Sequence, residues 1–251
     1  MQGSNTVFVR ETDVAGNLSS ATSFNFIFDN QAPTAPTLAL AHDTGVSATD
    51  GITSNPAIVY SAPAAGDTFL FKFDGGAFSA TAPFFATDHS ADGFHTVTVQ
   101  ATDVAGNSST ASLSFTLDTS APAQPHVSAA SPSGYAASGN LVSFVFSFDE
   151  PVNVGGGTPT LTLSNGGTAV YDPAATVALH DPTKLAFDYW VGPNDPGVQS
   201  LSITGIDLHG ASITNYAGAA ANVGHVAGTS VGLMVVDPVG PPQYMGDYHL
   251  V

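Results

Sequence analysis

The chain has 251 residues and a formal net charge of −17, from twenty Asp and Glu against three Lys and Arg. Nothing in that balance neutralises phosphates, which excludes nucleic-acid binding, and 9% charged residues cannot supply the polar faces of surface helices. A hydrophobic content of 43% excludes wholesale disorder, leaving an acidic, all-β protein of two to three domains.

The first predicted element is a hairpin, Thr6–Thr12 with Ser23–Phe28, turning at Thr12-Asp13-Val14-Ala15-Gly16-Asn17. A lone hairpin is marginal in water, and Phe24, Phe26 and Phe28 project from one face with nothing to cover them. Either this is a piece of a longer array or its strands complete another molecule's sheet. The next segment reads as six or seven short strands near 36–41, 57–61, 68–74, 77–80, 83–87, 94–101 and 111–117, the pattern of a β-sandwich. Its last two strands flank an unchanged second copy of the turn, Thr102-Asp103-Val104-Ala105-Gly106-Asn107. His95, Val97, Val99 and Ala101 alternate before it, and Leu113, Phe115 and Leu117 after it. A longer third segment has strands near 126–130, 141–148, 158–164, 168–171, 184–191, 198–206 and 230–236.

Asp followed four residues later by Pro closes each segment, at Asp29…Pro33, Asp118…Pro122 and Asp237…Pro241. Pro stiffens the chain and cannot join a sheet ladder, so these are short linkers. They divide the chain into a hairpin fragment (1–30), a first sandwich (34–120), a larger second sandwich (124–238) and a tail (239–251). No cysteine is present, which excludes disulfides, thiolate zinc and a Cys nucleophile. No apolar run approaches the roughly 18 residues of a membrane span, so membrane insertion is not expected. The N-terminus lacks the charged and apolar regions of a signal peptide, leaving secretion to a C-terminal signal outside this chain.

The middle segment resembles the bacterial Ig-like repeats of giant RTX-type, type I-secreted adhesins. The residues that carry the resemblance are Asp43-Thr44-Gly45, Asp50-Gly51-Ile52-Thr53-Ser54-Asn55-Pro56, Asp92-Gly93-Phe94-His95-Thr96-Val97 and Thr102–Asn107. The third segment is similar to a related extracellular repeat through Phe148-Asp149-Glu150-Pro151-Val152, Thr158–Leu163, Gly166–Tyr171 and Ile213–Gly218. In that last loop the family shows Asp-x-Ala-Gly-Asn where this chain has Asn215 and Ala219. The resemblance covers residues 6–242 and implies tandem Ig-like antiparallel β-sandwich domains. It further implies an extracellular or bacterial cell-surface location, a stalk or extender role, and Ca²⁺ at domain junctions. The Gly-Gly-x-Gly-x-Asp nonapeptide of RTX tails is absent.

Ca²⁺ takes six to eight oxygens from carboxylates, amides, carbonyls and water. In a seven-strand sandwich the last hairpin faces the preceding domain, which predicts one site from Asp29, Asp67, Asp103 and Asn107. At the opposite end the loop Asp43–Asp50 and the turn Asp88–Asp92 are expected to approach Asp118, with Asp149 and Glu150 joining from the third segment. The competing account is that an Asp before Ala-Gly-Asn bonds its own turn amides. Electrostatics favours the ion, because carboxylates crowded at a junction repel and a divalent cation removes that repulsion. The expectation is a stiff spacer with Ca²⁺ and a bending linker without it.

The eight histidines are scattered and read as loop or surface residues, Gly155-Gly156-Gly157 lacks the Lys and helix of a phosphate loop, and Asp149 with Glu150 cannot flank a glycosidic substrate. No nucleophile–base constellation emerges, so an enzyme is not expected. The single Trp190 alternates outward beside Asp188, a disposition that suits a sugar or protein contact unless the Asp207–Gly228 connection covers it. Partners are thus neighbouring Ig-like domains and a glycan or protein surface ligand. The first functional reading is a Ca²⁺-rigidified structural segment of an adhesin. The alternatives are a ligand-binding module acting through 124–238, a filament subunit that pairs through residues 1–30, and an accessory domain of a secreted hydrolase.

Overall fold

The computed structural model describes residues 2–131 and 134–236. The Asp237…Pro241 linker, His249 and the 239–251 tail lie outside them. In chain order the elements are β1 (Gly3–Val9), β2 (Thr22–Phe28), β3 (Leu38–Leu40), β4 (Ile52–Thr53), β5 (Ile58–Tyr60), β6 (Thr68–Phe73), β7 (Gly93–Thr102) and β8 (Ser108–Leu117). There follow β9 (His126–Ala130), β10 (Tyr135–Ala136), β11 (Leu141–Ser147), β12 (Asn153–Gly155), β13 (Thr160–Leu163), β14 (Thr168–Tyr171) and a helix α1 (Pro173–Ala178). The last are β15 (Lys184–Trp190), β16 (Ile203–Asp207), β17 (Ser212–Thr214) and β18 (Met234–Val235). With 42% strand and 4% helix, the protein is all-β and built from antiparallel sheets in the Ig-like sandwich manner. Among the described residues no helix is long and apolar enough to cross a membrane.

The chain forms two compact units. The first comprises residues up to Ala41, Ala57–Phe85 and Phe94–Phe115. In it β1 and β2 make the predicted hairpin, in register from Gly3↔Phe28 to Val9↔Thr22. β3 pairs with β5, and β6 lies antiparallel along β7 from Thr68↔Thr102 to Phe73↔Val97. The alternation of β7 and β8 turns Val97, Val99 and Phe115 inward, where with Phe71 and Phe85 they form the core. The Phe85 and Phe115 rings meet edge to face at 5.5 Å. Two predicted strands are not regular here. Residues 77–80 make only the Phe71↔Ser79 bridge, and 83–87 are irregular because Pro83 cannot donate to a ladder. Phe85 fills the core from this irregular stretch.

The second unit comprises His42–Pro56, Ala86–Gly93 and the chain from Thr116 onward. Its centre is a six-stranded sheet in the order β16-β13-β14-β15-β11-β9, flanked by the pairs β12–β17 and β10–β18. β4 adds in parallel to Thr116 and Leu117 at the end of β8. Period-2 patterning dictates the core: Val142, Phe144 and Phe146 on β11 oppose Tyr189, Phe187 and Leu185 on β15, all buried. Each ring so buried contributes about 1.5–3 kcal/mol. Ala186, on the other face of β15, is also buried. Its N–H donates to Thr176 Oγ1 on α1, a helix absent from the strand pattern. The signal for α1 is Asp172-Pro173, since Asp172 caps the amides of Ala174 and Ala175 and Pro occupies the first turn. The second linker, 118–122, lies within this unit, as the first, 29–33, lies within the other.

Candidate metal centre

One turn recurs three times. Asp13 Oδ1 accepts the amides of Ala15 and Asn17 at 2.9 and 2.8 Å while Oδ2 accepts Asn17 Nδ2 at 2.8 Å. Asp103 repeats this with Ala105 and Asn107, each bond 2.9 Å. These bonds, the side-chain amide of Asn17 or Asn107 foremost, hold both carboxyls below the usual Asp range. At the third copy Asn215 takes the position of Asp: its N–H donates to Ala219 O, its Oδ1 accepts Ala219 N at 2.8 Å, and Gly218 has φ +91° like Gly106 at +90°.

In the first unit, Asp29 Oδ1 accepts Gln31 N at 3.0 Å and Gln2 Nε2 at 2.5 Å. Asn107 Nδ2 donates to the Asp29 main-chain oxygen at 3.2 Å, tying the turn to the linker. Of the four residues expected to share an ion, Asp29, Asp103 and Asn107 are thus linked, though both Asp103 oxygens already serve their own turn. Asp67 is half-buried in a separate turn, its amide donating to Ala64 O.

The second linker repeats the first and gathers more charge. Asp118 Oδ1 accepts Ser120 N at 3.1 Å, as Asp29 does Gln31 N. Its Oδ2 accepts the Asn215 amide at 3.0 Å, and the same amide reaches Ser120 O at 2.9 Å and Glu150 Oε2 at 3.3 Å. Asn215 is 1% exposed. Asp92 closes one side, Oδ1 accepting Thr119 N and Oγ1 and Oδ2 accepting Ser120 Oγ at 2.9 Å. Asp149 Oδ1 accepts Ala123 N at 2.9 Å. Burial, and then the charge of Asp92, push Asp118 above its ordinary value. Burial, and then Asp118, Asp149 and Asp92, do the same to Glu150. Burial also opposes ionisation of Asp92, but its Thr119 and Ser120 hydrogen bonds outweigh this and leave it lowered. Lys184, the single Lys or Arg of this unit, is held by Asp181 at 2.9 Å.

Asp43 and Asp50 are bound within their own loop. Asp43 Oδ2 accepts Gly51 N at 3.0 Å and Asp50 Oδ1 accepts Ile52 N at 3.0 Å. Asp43 Oδ1 is buried with no hydrogen-bond partner. The loop docks on the third turn: Thr44 Oγ1 donates to Ala217 O at 2.5 Å and Val46 N to Tyr216 O at 3.3 Å. Among the described residues no three His, Cys, Asp or Glu side chains converge closely enough to hold a metal as they stand. The all-oxygen donor set nevertheless has the chemistry of a hard-cation site. In the sequence Asn215 stands out only as a departure from the family's Asp-x-Ala-Gly-Asn loop. Its place at the centre of the cluster was signalled only by the spacing Asn215…Ala219, which keeps the turn while changing the side chain.

Elsewhere, His95 departs from the scattered surface histidines. It occupies an inward position of β7, packs against the Phe85 ring at 4.5 Å and bonds Asp74 Oδ2 at 2.8 Å. Trp190 is 67% exposed. The connection expected to cover it instead forms β17, which pairs with β12.

Residues 31–119 match the family model described as a bacterial Ig-like domain. No curated protein matches the sequence. Three solved structures are similar over most of the chain. One is a Ca²⁺-stabilised adhesin that helps an Antarctic bacterium reach out and bind ice, at 19% identity and TM-score 0.28, covering 85% of this chain and 56% of that one. Another belongs to a 1.5-MDa bacterial ice-binding adhesin studied for host cell surface retention, at 17% identity and TM-score 0.28, covering 88% and 74%. The third is SGBP-B of the Bacteroides ovatus mixed-linkage glucan utilization locus with a mixed-linkage heptasaccharide, at 10% identity and TM-score 0.20, covering 94% and 48%. The chain therefore spans little more than half of the first of these. Scores this low carry nothing about arrangement or ligand, and the family rests on residues 31–119. A bacterial Ig-like domain points to a structural or binding role for residues 31–119.

Proposed function

We propose, on the premise that residues 31–119 are a bacterial Ig-like domain, that this chain is a structural spacer segment of a secreted or cell-surface bacterial adhesin whose second linker is stiffened by Ca²⁺. The observation that carries the reading is electrostatic. Asp92, Asp118, Asp149 and Glu150 surround one linker, burial and mutual repulsion raise two of them, and the unit's one Lys or Arg is engaged elsewhere. A divalent cation relieves such repulsion better than the Asn215 amide does alone. Glu150, Asp118 and Asp149, with the Ser120 carbonyl, would hold it. Asp29, Asp67, Asp103, Asn107 and Asp50 are the weaker half of the assignment, because among the described residues no shared donor joins two carboxylates there as Asn215 joins Asp118 and Glu150. The ion supplies charge neutralisation and no chemistry. Calorimetric titration with Ca²⁺ and melting with and without EGTA test this. Heat of binding together with a raised melting temperature supports it; no heat and indifference to chelator end it.

A second reading rests on Trp190. Its exposed ring stands on the outer face of β15 with Asp188, across from Leu141 and Ser143 on β11, and offers a flat platform to a sugar ring or a protein side chain. Glycan-array binding that disappears in Trp190→Ala, with melting unchanged, would favour this reading.

A further inference from the structure

The outer face of the large sheet carries an acid that its neighbours do not satisfy. The alternation that buries Leu185, Phe187 and Tyr189 on β15 sends Asp188 and Trp190 outward. Asp188 stands between Ser143 on β11 and Val170 on β14, directly opposite both. It is half-buried, and its Oδ1 is shielded from solvent without a hydrogen-bond partner. Val170 has no side-chain donor to give, and the Ser143 hydroxyl leaves that oxygen unpaired. A shielded carboxylate oxygen with no donor is costly, so this one has an unmet claim on a partner. The terminal torsion of Asp is broad, which lets either oxygen turn towards an arriving donor.

Trp190 decides what kind of donor fits. It is 67% exposed, two residues along the same strand and on the same face, with Leu141 opposite it. The face of an indole ring is electrically negative, so ring and carboxylate attract the same charge. A sugar ring needs several polar groups around its hydroxyls, whereas the side chains in register here, Leu141 and Val170, offer only carbon. The unit's one Lys or Arg, Lys184, is held by Asp181 at 2.9 Å and does not answer Asp188. A net charge of −17 draws in a basic partner over the longer range.

We infer, resting on the reading of Trp190 as a contact residue, that Trp190 and Asp188 together receive an arginine side chain of a partner protein. The guanidinium stacks on the indole and turns its N–H fork to the Asp188 carboxylate, while its methylenes lie along Val170. Lysine fits less well, because its ammonium is a strongly hydrated point charge with neither plane nor fork.

Trp190 is the single tryptophan of the chain, so indole fluorescence reports this site and is silent to attraction at acids elsewhere. The test titrates the full chain with the peptide acetyl-Gly-Arg-Gly-amide and with its citrulline and lysine counterparts. Citrulline keeps the shape of arginine and loses its charge. The arginine peptide should give a saturable change, and the citrulline peptide should bind about tenfold more weakly or not at all. Asp188→Asn should weaken the arginine peptide by about tenfold and melt like the parent, although it removes only one of twenty acids. An equal response to arginine and either counterpart overturns the inference, as does an Asp188→Asn variant that binds like the parent. Neutral-glycan binding that disappears in Trp190→Ala, with no response to arginine, also overturns it and leaves Trp190 a contact residue. Binding of neither kind ends both readings.

Discussion

Asn215 donates its side-chain amide to the Asp118 carboxylate at 3.0 Å across 97 positions of the chain. The contact inverts the logic of the earlier turns. Asp13 and Asp103 use carboxylates to gather their own amides, whereas Asn215 keeps its carbonyl oxygen on the turn and directs its NH₂ to Asp118, Ser120 O and Glu150. A neutral donor thus sits where acids converge, offsetting part of their repulsion at the linker that leads into the large sandwich.

Replacing that donor is the sharpest probe of the cluster. Asn215→Asp keeps the turn acceptor but sets a third carboxylate against Asp118 and Glu150. In EGTA the unit should lose about 2–4 kcal/mol. Saturating Ca²⁺ should restore most of the loss, and Ca²⁺ should bind more tightly than to the parent. Melting in the two buffers measures both effects, and a variant as stable as the parent in EGTA would show that the amide does nothing for the acids.

Glu150 gives the pH signature. Burial and neighbouring acids raise it from an ordinary value of 4.5, so the folded state holds this proton more tightly than the unfolded chain. The resulting destabilisation is complete above the raised folded value, fades as pH falls through it, and is gone below the ordinary value. In chelator at neutral pH, Glu150→Gln should therefore melt higher than the parent, and the gap should close on acidification. With Ca²⁺ the order should reverse, because the variant has lost a ligand. Parallel melting curves across pH 4 to 7 would contradict the assignment.

The legible parts of the fold were those fixed by local chemistry. Alternation in Leu141–Ser147 and Lys184–Trp190 marked two neighbouring strands of the large sheet, and the repeated Asp-Val-Ala-Gly-Asn marked the turns. The cluster was half legible. Asp118, Asp149 and Glu150 stood out as acids near a linker, but that Asn215 would pin Asp118 and Glu150 depends on tertiary pairing of β17 with β12, two three-residue strands too short to carry a period. The docking of Thr44 and Gly45 on Ala217 and Tyr216 had no local signal at all, since a loop-on-loop contact leaves no pattern in either segment.

That contact yields a steric prediction. Gly45 has φ +98°, and a Cβ there would lie 1.9 Å from Tyr216 O. Gly45→Ala should cost more than about 3 kcal/mol, since backbone must move as well as strain. Gly139 has φ +83° with nothing within 4 Å of a Cβ, so Gly139→Ala should cost only the left-handed penalty of about 1–2 kcal/mol. Chemical denaturation of the two variants checks the difference, and equal losses would mean that the 43–51 loop is not docked in solution.

The last prediction concerns a polar lock inside the large sandwich. Tyr189 Oη donates to Asp195 Oδ2 at 2.6 Å and accepts from Asn165 Nδ2 at 2.6 Å, while Gly192 N also donates to Asp195 Oδ2. Burial first, and then the Asp195 hydrogen bond, push the phenol up to about 12. The folded state thus keeps a proton that the unfolded chain gives up near its ordinary value of 10.0, so stability falls as pH rises through that interval. Tyr189→Phe should cost about 1–3 kcal/mol near neutrality, because Asn165 and Asp195 lose a buried partner. It should also flatten the alkaline decline, because the group responsible for it is gone. Denaturation at pH 8 and pH 11 separates the two effects. A variant that declines as steeply as the parent would place the alkaline sensitivity elsewhere in the unit, and would leave the phenol a packing residue whose hydroxyl does not govern the lock.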